Sequence, residues 1–207
     1  VLCLGAHADD IEIGCGGTVG AMVARRPRPS VTWVVFSGGD GPRAGEARRG
    51  AAGILGPRSQ DEVVIHSFRD GYFPAEYQEI KDTLRRIGRR ARPDVVFTHT
   101  RSDRHQDHRV LSDLAWNEFR DQLILEYEIP KWDGDLGRPN AYVPLSARAL
   151  ARKLAVVRKV FRSQRAKDWF DRRTFEGLAR LRGVECRAKS GFAEAFYLRK
   201  ATLTVDS

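Results

Sequence analysis

Residues 4–17 read LGAHADDIEIGCGG, and the chain's opening VLCLG runs directly into them. VLCLG is a short apolar run bounded by glycine, the pattern of a buried strand. A histidine and two aspartates, His7, Asp9 and Asp10, stand at its exit, ahead of a cluster of glycines. Taking charged groups out of water without partners costs several kcal/mol per ion, so a buried strand end of this composition needs a ligand or a set of mutual partners. The glycines are no phosphate cradle: they miss the G-x-G-x-x-G spacing, no GK[ST] appears, and the aspartates would repel a phosphate. Capping of the following helix by Asp9 and Asp10 is the plainer alternative for this stretch taken alone.

Outward from here, apolar runs alternate with amphipathic ones. SVTWVVFS (30–37), EVVIHSF (62–68), PDVVFTHT (93–100) and ILEYEI (124–129) read as further strands. GGTVGAMVARR (16–26), AGEARRGAAGILG (44–56), AEYQEIKDTLRRIGRRA (75–91) and DHRVLSDLAWNEFRDQL (107–123) read as the helices between them. Ile80, Leu84 and Ile87 share one face of the third. Four strand–helix units in succession predict an α/β fold, a Rossmann-like three-layer αβα sandwich with a mostly parallel sheet. From Pro130 the texture changes: PKWDGDLGRPN is a polar loop, AYVPLS a short strand, residues 147–181 a long helical region, and FAEAFYLRKATLTV (192–205) a closing strand. No repeat or boundary interrupts the pattern, so one domain over residues 1–207 is expected. A loop at about 130–144, with Trp132, Asp133, Asp135 and Tyr142, is expected to wall a pocket.

At 207 residues and 42% hydrophobic, the chain can bury a full core. No apolar run approaches the roughly 20 residues of a membrane span. No signal peptide is visible, and Cys3, Cys15 and Cys186 form neither a CxxC pair nor an even-numbered disulfide framework. A cytoplasmic protein without a membrane span is the expectation. The net charge of +9 points toward anionic partners. The arginines, however, are scattered through stretches such as RRIGRRAR and RAKDWFDRRTFEGLARLR, interleaved with acids and apolar residues. Solvated helix faces are expected there, and no nucleic-acid partner.

In an open parallel sheet, ligands bind outside the carboxyl ends of the strands. The first four strand exits carry HADD, GGDGPR, RDG and HTRSDRHQDH, so nearly all the chemistry-bearing residues of the first half fall on one edge. Of five histidines, His99, His105 and His108 fall within ten residues, and His7 opens the first exit. Such clustering marks a metal or acid–base site. His7 and Asp10 are three apart at a turn, which brings them within about 7 Å. His105 and His108 are three apart at a helix start and share a face. Two histidines and one carboxylate, with a coordination position left open, make a hydrolytic zinc site; the same donors hold ferrous iron. The spare aspartate and histidine are then placed for acid–base work.

AHADD resembles the AHPDD signature of the PIG-L/LmbE-like family of zinc-dependent N-acetylglucosaminyl deacetylases, and HQDH resembles its HxDH signature. IEIGCGGT, RAGEARRGAAGILG, FRDG, THTRSDRHQDH, KLAVVRKVFRSQ and FAEAF are similar to that family in the right order, over nearly the whole chain. Ala8 stands where the family usually has proline; the position supplies no ligand, and the change loosens the turn. The resemblance implies one Zn2+ per chain, or Fe2+ in its place, held by His7, Asp10 and His108. It implies a general base at Asp9, and at His105 a histidine that stabilises the oxyanion or protonates the leaving amine, oriented and kept protonated by Asp107. Arg43 and Asp70 match positions that line the substrate pocket. Asp103 matches a family position without a clear role, and His99 is read either as support for the site or as strand packing. The implied reaction releases acetate and a free amine from an N-acetylglucosamine-type sugar or glycoconjugate, as in secondary metabolism. Two alternatives stay open: an amidase for a non-sugar or thiol-conjugate amide, and a non-catalytic binding protein on the same fold.

Overall fold

Strand β1 (Leu2–Gly5) turns Leu2 and Leu4 to one face of the sheet and Cys3 to the other, all fully buried. A strand covered on both faces belongs in the middle of a parallel sheet. In the computed structural model, which describes residues 1–56 and 61–202, β1 pairs in parallel with β2 (Thr32–Ser37) and β4 (Val95–His99). Outside these, β3 (Glu62–Phe68) joins β2 and β5 (Leu123–Tyr127) joins β4, again parallel. Strand β7 (Ala193–Leu198) runs antiparallel to β5, and β6 (Ala141–Pro144) antiparallel to β7, giving the order β3-β2-β1-β4-β5-β7-β6. The predicted mostly parallel α/β sheet is present.

Helices α1 (Asp10–Val23), α2 (Pro42–Leu55), α5 (Ala147–Val160) and α6 (Arg172–Glu185) cover one face, packing on Cys3, Trp33, Val35, Phe97 and Phe196. Helices α3 (Tyr77–Ala91) and α4 (Gln106–Glu118) cover the other, where Ile80, Leu84 and Ile87 meet Leu2, Leu4, Val34 and Phe36 as their spacing requires. The chain leaves β1 toward β2 on one side and later returns to β4 on the other. That reversal opens a crevice at the carboxyl ends of β1 and β4. No helix among the described residues is long and apolar enough to cross a membrane.

Three elements depart from the sequence reading. Helix α1 starts at Asp10, not at the glycines, so IEIGCGG is helical. The glycines there serve packing: a Cβ on Gly14 would stand 2.2 Å from Cδ2 of Tyr127. Helix α4 stops at Glu118, because Phe119 turns into the core beside α3. The region 147–181 is not one helix. Phe161, fully buried, ends α5; a 3-10 turn follows at Arg162–Gln164; Asp171 then caps α6 by accepting the Arg173 N–H at 2.7 Å. The end of the expected closing strand, from residue 203, lies outside the described residues. Behind the crevice, the buried Lys153–Glu194 pair ties α5 to β7 at 2.6 Å. Lys153 also donates to the Ile13 carbonyl, and Glu194 accepts the N–H groups of Gly17 and Thr18. A buried ion pair satisfied on both sides in this way fixes the helix against the sheet edge.

Candidate functional site

Where β1 ends, the chain folds into a turn in which His7 donates its N–H to Asp10 Oδ2 at 2.6 Å and accepts the Asp10 N–H at 3.3 Å. The turn swings both side chains toward the exit of β4. There His99 ends the strand, and His105 forms the N-cap of α4, its Nδ1 accepting the Asp107 N–H at 3.3 Å. One helical turn along, His108 faces the same space. His7 Nδ1, Asp10 Oδ2 and His108 Nε2 form a triangle with edges of 3.1, 3.3 and 3.5 Å. Neighbouring ligands of a tetrahedral cation with bonds of about 2.0–2.1 Å stand about 3.3 Å apart. The donors present therefore fit a zinc-sized ion on three corners, with a fourth open.

Each imidazole of the triangle is backed by carboxylates on its far nitrogen. Asp103 Oδ2 lies 2.8 Å from His108 Nδ1; Asp70 Oδ1 and Asp107 Oδ2 lie 3.0 and 3.2 Å from His7 Nε2. Such partners fix the tautomer and aim the free nitrogen at a metal. Burial alone would press His7 down, but Asp10, Asp107 and Asp70 outweigh it and hold the imidazole well above its ordinary value. His108 is raised against burial by Asp10 and Asp103. Asp10 shows the converse: burial pushes it up, and His108, His99 and His7 bring it well below the carboxylate range. The cluster is stabilised by positive charge at its centre, whether protons or a cation carry it.

His99 stands beside the triangle, its Nε2 3.3 Å from Asp10 Oδ2. Burial and His108 hold it down to about 4, so the ring is neutral; it stacks on His108 with centroids 3.8 Å apart and its Nε2 accepts the Ala6 N–H at 3.1 Å. It thereby pins the exit of β1 to that of β4.

Asp107 has different partners from those the resemblance implied. Its carboxylate accepts the N–H groups of Gly71 (2.6 Å) and Phe73 (3.1 Å) and meets His7. His105 receives only its backbone N–H. Burial, His108 and His7 hold His105 below its ordinary value, against the pull of Asp107. Arg43, from the first turn of α2, donates from Nη2 to Asp9 Oδ1 at 2.7 Å, and its Nη1 stands 3.9 Å from Asp70. Asp70 is half exposed and is held down to about 2, chiefly by its bond to His7.

His7, Asp9, Asp10, Arg43, Asp70, His105 and His108 line one cleft of about 110 Å³. Sequence reasoning missed the rest of its lining: Ile129, Lys131, Gln164, Lys167 and Trp169. Of the loop at 130–144, Lys131 reaches the cleft, whereas Trp132 is exposed and bonds Asp168 through Nε1 at 2.6 Å. Tyr142 bonds the Pro139 carbonyl and Glu185. Gln164 closes the KLAVVRKVFRSQ stretch, which was the one available signal for the wall.

Comparison with known proteins bears on this site. The uncharacterised deacetylase YaiS of Escherichia coli (strain K12) is 30% identical over 170 residues, 77% of this chain and 89% of that protein. The N,N'-diacetylchitobiose deacetylase of Pyrococcus horikoshii superposes with a TM-score of 0.75 at 22% identity, covering 95% of this chain and 82% of its own. GalB, the 4-carboxy-2-hydroxymuconate hydratase of Pseudomonas putida KT2440, superposes with a TM-score of 0.79 at 17% identity, covering 100% and 98%. A deacetylase and a hydratase on one scaffold show that the fold alone does not name a reaction. The model of the family described as GlcNAc-PI de-N-acetylase, PIG-L, matches residues 2–119, more than half of the chain and the part that holds every corner of the triangle. The chain belongs to the PIG-L, GlcNAc-PI de-N-acetylase, family.

Proposed function

We propose that this protein is a metal-dependent N-deacetylase that removes an acetyl group from an N-acetylglucosamine-type sugar or glycoconjugate. The observation that carries the reading is the His7–Asp10–His108 triangle with Asp9 and His105 lining the same cleft. Family membership and the deacetylase relatives support the reaction class; the sugar is inferred from the chitobiose deacetylase and from the aromatic wall at Trp169. A divalent cation held by the triangle, zinc in our assignment, supplies when bound a water pKa lowered toward about 7 and polarisation of the amide carbonyl.

The chain's own groups do the proton work. Burial raises Asp9 above the usual carboxylate value, and Arg43 pulls it partly back while holding Oδ1. A buried, cation-tethered carboxylate of this kind can take the proton of the attacking water on Oδ2 and return it to the departing nitrogen. Because His105 Nδ1 accepts the Asp107 N–H, the ring proton sits on Nε2, and the neutral imidazole donates it toward the oxygen on which charge develops. One water and one amide become acetate and a free amine. Arg43 and Asp70, at the rim, contact the sugar. All three cysteines are free, which suits a reducing compartment such as the cytoplasm.

The test is acetate release from a panel of N-acetyl sugars and conjugates before and after chelation, with zinc and ferrous iron added back separately under anaerobic conditions. Activity should vanish with the metal and return with one ion. Asp9→Asn should bind metal and lose turnover, and His108→Ala should lose the metal. Undiminished acetate release from a metal-free preparation overturns the proposal.

A further inference from the structure

The cleft is unevenly charged. Its metal side carries Asp9, Asp10 and Asp70, whereas another wall comes from the segment between α5 and α6. Residues 147–190, which include α5, this wall and α6, hold fourteen Lys and Arg against four Asp and Glu, a net +10, when the whole chain amounts to +9. The segment that supplies this wall is thus rich in positive charge, with Lys153 and Arg182 paired to Glu194 and Glu128 outside it.

Three cations line the cleft, and two are committed. Arg43 is held by Asp9 and Asp70; Lys131 lies 2.9 Å from Asp103 and 2.6 Å from Asp135. Lys167 makes no ion pair among the described residues, and its Nζ lies 5.6 Å from the ring centroid of Trp169. The wall that carries them is built, not loose. Buried Glu46 accepts the N–H and hydroxyl of Ser163 at 3.1 and 2.6 Å. Asp168 accepts from Trp132 Nε1 and from the Trp169 N–H, and the Trp169 ring packs edge-on against Trp132, Phe170 and Phe175.

We infer that Lys167 and Trp169 determine specificity: the substrate carries a carboxylate or phosphate close to its sugar ring, bound by Lys167 while the ring lies against Trp169. The inference rests on the deacetylase reading and narrows its substrate class. An uncommitted ammonium in a partly desolvated cleft forms charge-assisted hydrogen bonds with such an anion. The acidic metal side repels the same group, so the field admits the substrate in one orientation, amide toward the triangle and anion toward the basic wall.

The experiment compares acetate release from a neutral methyl N-acetylglucosaminide with release from N-acetylglucosamine 1-phosphate and from N-acetylmuramic acid, which separates phosphate from carboxylate. At low salt, kcat/KM should favour at least one anionic substrate by about tenfold or more, and the margin should shrink in high salt. Lys167→Met should abolish the margin, and Lys167→Glu should invert it. Equal rates for neutral and anionic substrates in the unaltered protein, or a margin untouched by Lys167→Glu, overturns the inference. Calorimetry with methyl glucosaminide and glucosamine 1-phosphate repeats the comparison without turnover. An anion preference there that Lys167→Glu removes supports the wall even if no sugar releases acetate, the outcome that would sink the deacetylase reading instead. Equal binding overturns the wall.

Discussion

Gly14 sits in the middle of α1, where alanine is ordinarily the better helix former by about 1 kcal/mol. The packing reverses that preference. A Cβ at this position would stand 2.2, 2.5 and 2.8 Å from Cδ2, Cγ and Cε2 of Tyr127, where ordinary contacts begin near 3.4 Å. The ring would have to retreat by about 1 Å. It has nowhere to go: Tyr127 is fully buried, and its hydroxyl donates to the Leu4 carbonyl at 2.6 Å. Overpacking of a filled core costs about 1–3 kcal/mol, and a buried hydroxyl pulled from its acceptor adds about 1–3 kcal/mol. Set against the helix gain, Gly14→Ala should destabilise the protein by roughly 1–5 kcal/mol. The assay is urea unfolding of Gly14→Ala, Tyr127→Ala and the double variant. Space left by the missing ring should make the alanine at position 14 almost free of cost in the Tyr127→Ala background, a coupling nearly as large as the single-variant penalty. The same penalty in both backgrounds, or no penalty at all, would refute the reasoning. Leu4 and His99 both touch the Tyr127 hydroxyl, so metal affinity should weaken along with stability in the single variant.

Three further outcomes follow from the site. Asp103→Asn leaves His108 Nδ1 without its carboxylate and should weaken metal binding by about 10–100-fold, read by competition with a chromogenic chelator. Arg43→Met removes the cation that lowers Asp9, so the acid limb of kcat/KM against pH should move to higher pH; Lys in its place should restore most of the shift, and a profile lowered in parallel with an unmoved limb would exclude a charge effect. His7 and His108 are held above their ordinary values without metal, so a metal bound to their ring nitrogens competes with protons held more tightly than on a free imidazole. Zinc titrations in buffers of different ionisation enthalpy should show proton release that declines as the pH rises through those values, and absence of release would count against these two ligands.

The αβα layers were legible because periodicity is local. Ile80, Leu84 and Ile87 face the core wherever the rest of the chain goes, and β1 reads as buried from four residues. The errors fell where a tertiary neighbour decides the backbone. Nothing in FRSQRAKDWF marks a break, since no proline or glycine interrupts it; the break comes from Phe161 and Phe170 burying on the same side and from Asp171 capping the next helix. The glycines of IEIGCGG suggested the lead into a helix, when Gly14 answers to Tyr127 and Gly17 to Leu145 and Glu194, each more than a hundred residues away.

The site divides along the same line. His7 with Asp10, and His105 with His108, each stand three residues apart, so their convergence needs only that β1 and β4 be neighbours, which the strand order supplies and the sequence reading left open. Asp107 is different. Adjacency to His108 suggests service to the histidine motif, yet its carboxylate is claimed by two N–H groups at Gly71 and Phe73, from the loop after β3. Those donors turn it toward His7. In the proposed mechanism Asp9 therefore carries the proton both from the water and to the departing nitrogen. The Asp107 carboxylate bonds His7, a proposed metal ligand, and Asp107 gives His105 only its backbone N–H. In the proposed mechanism the metal ligand His7 thus depends on one loop, Gly71 to Phe73, of which only Gly71 belongs to a motif, FRDG. Lengthening that loop by a single glycine should weaken metal affinity and turnover together, measured by chelator competition and acetate release, whereas intact metal binding with lost turnover would place Asp107 back beside His105.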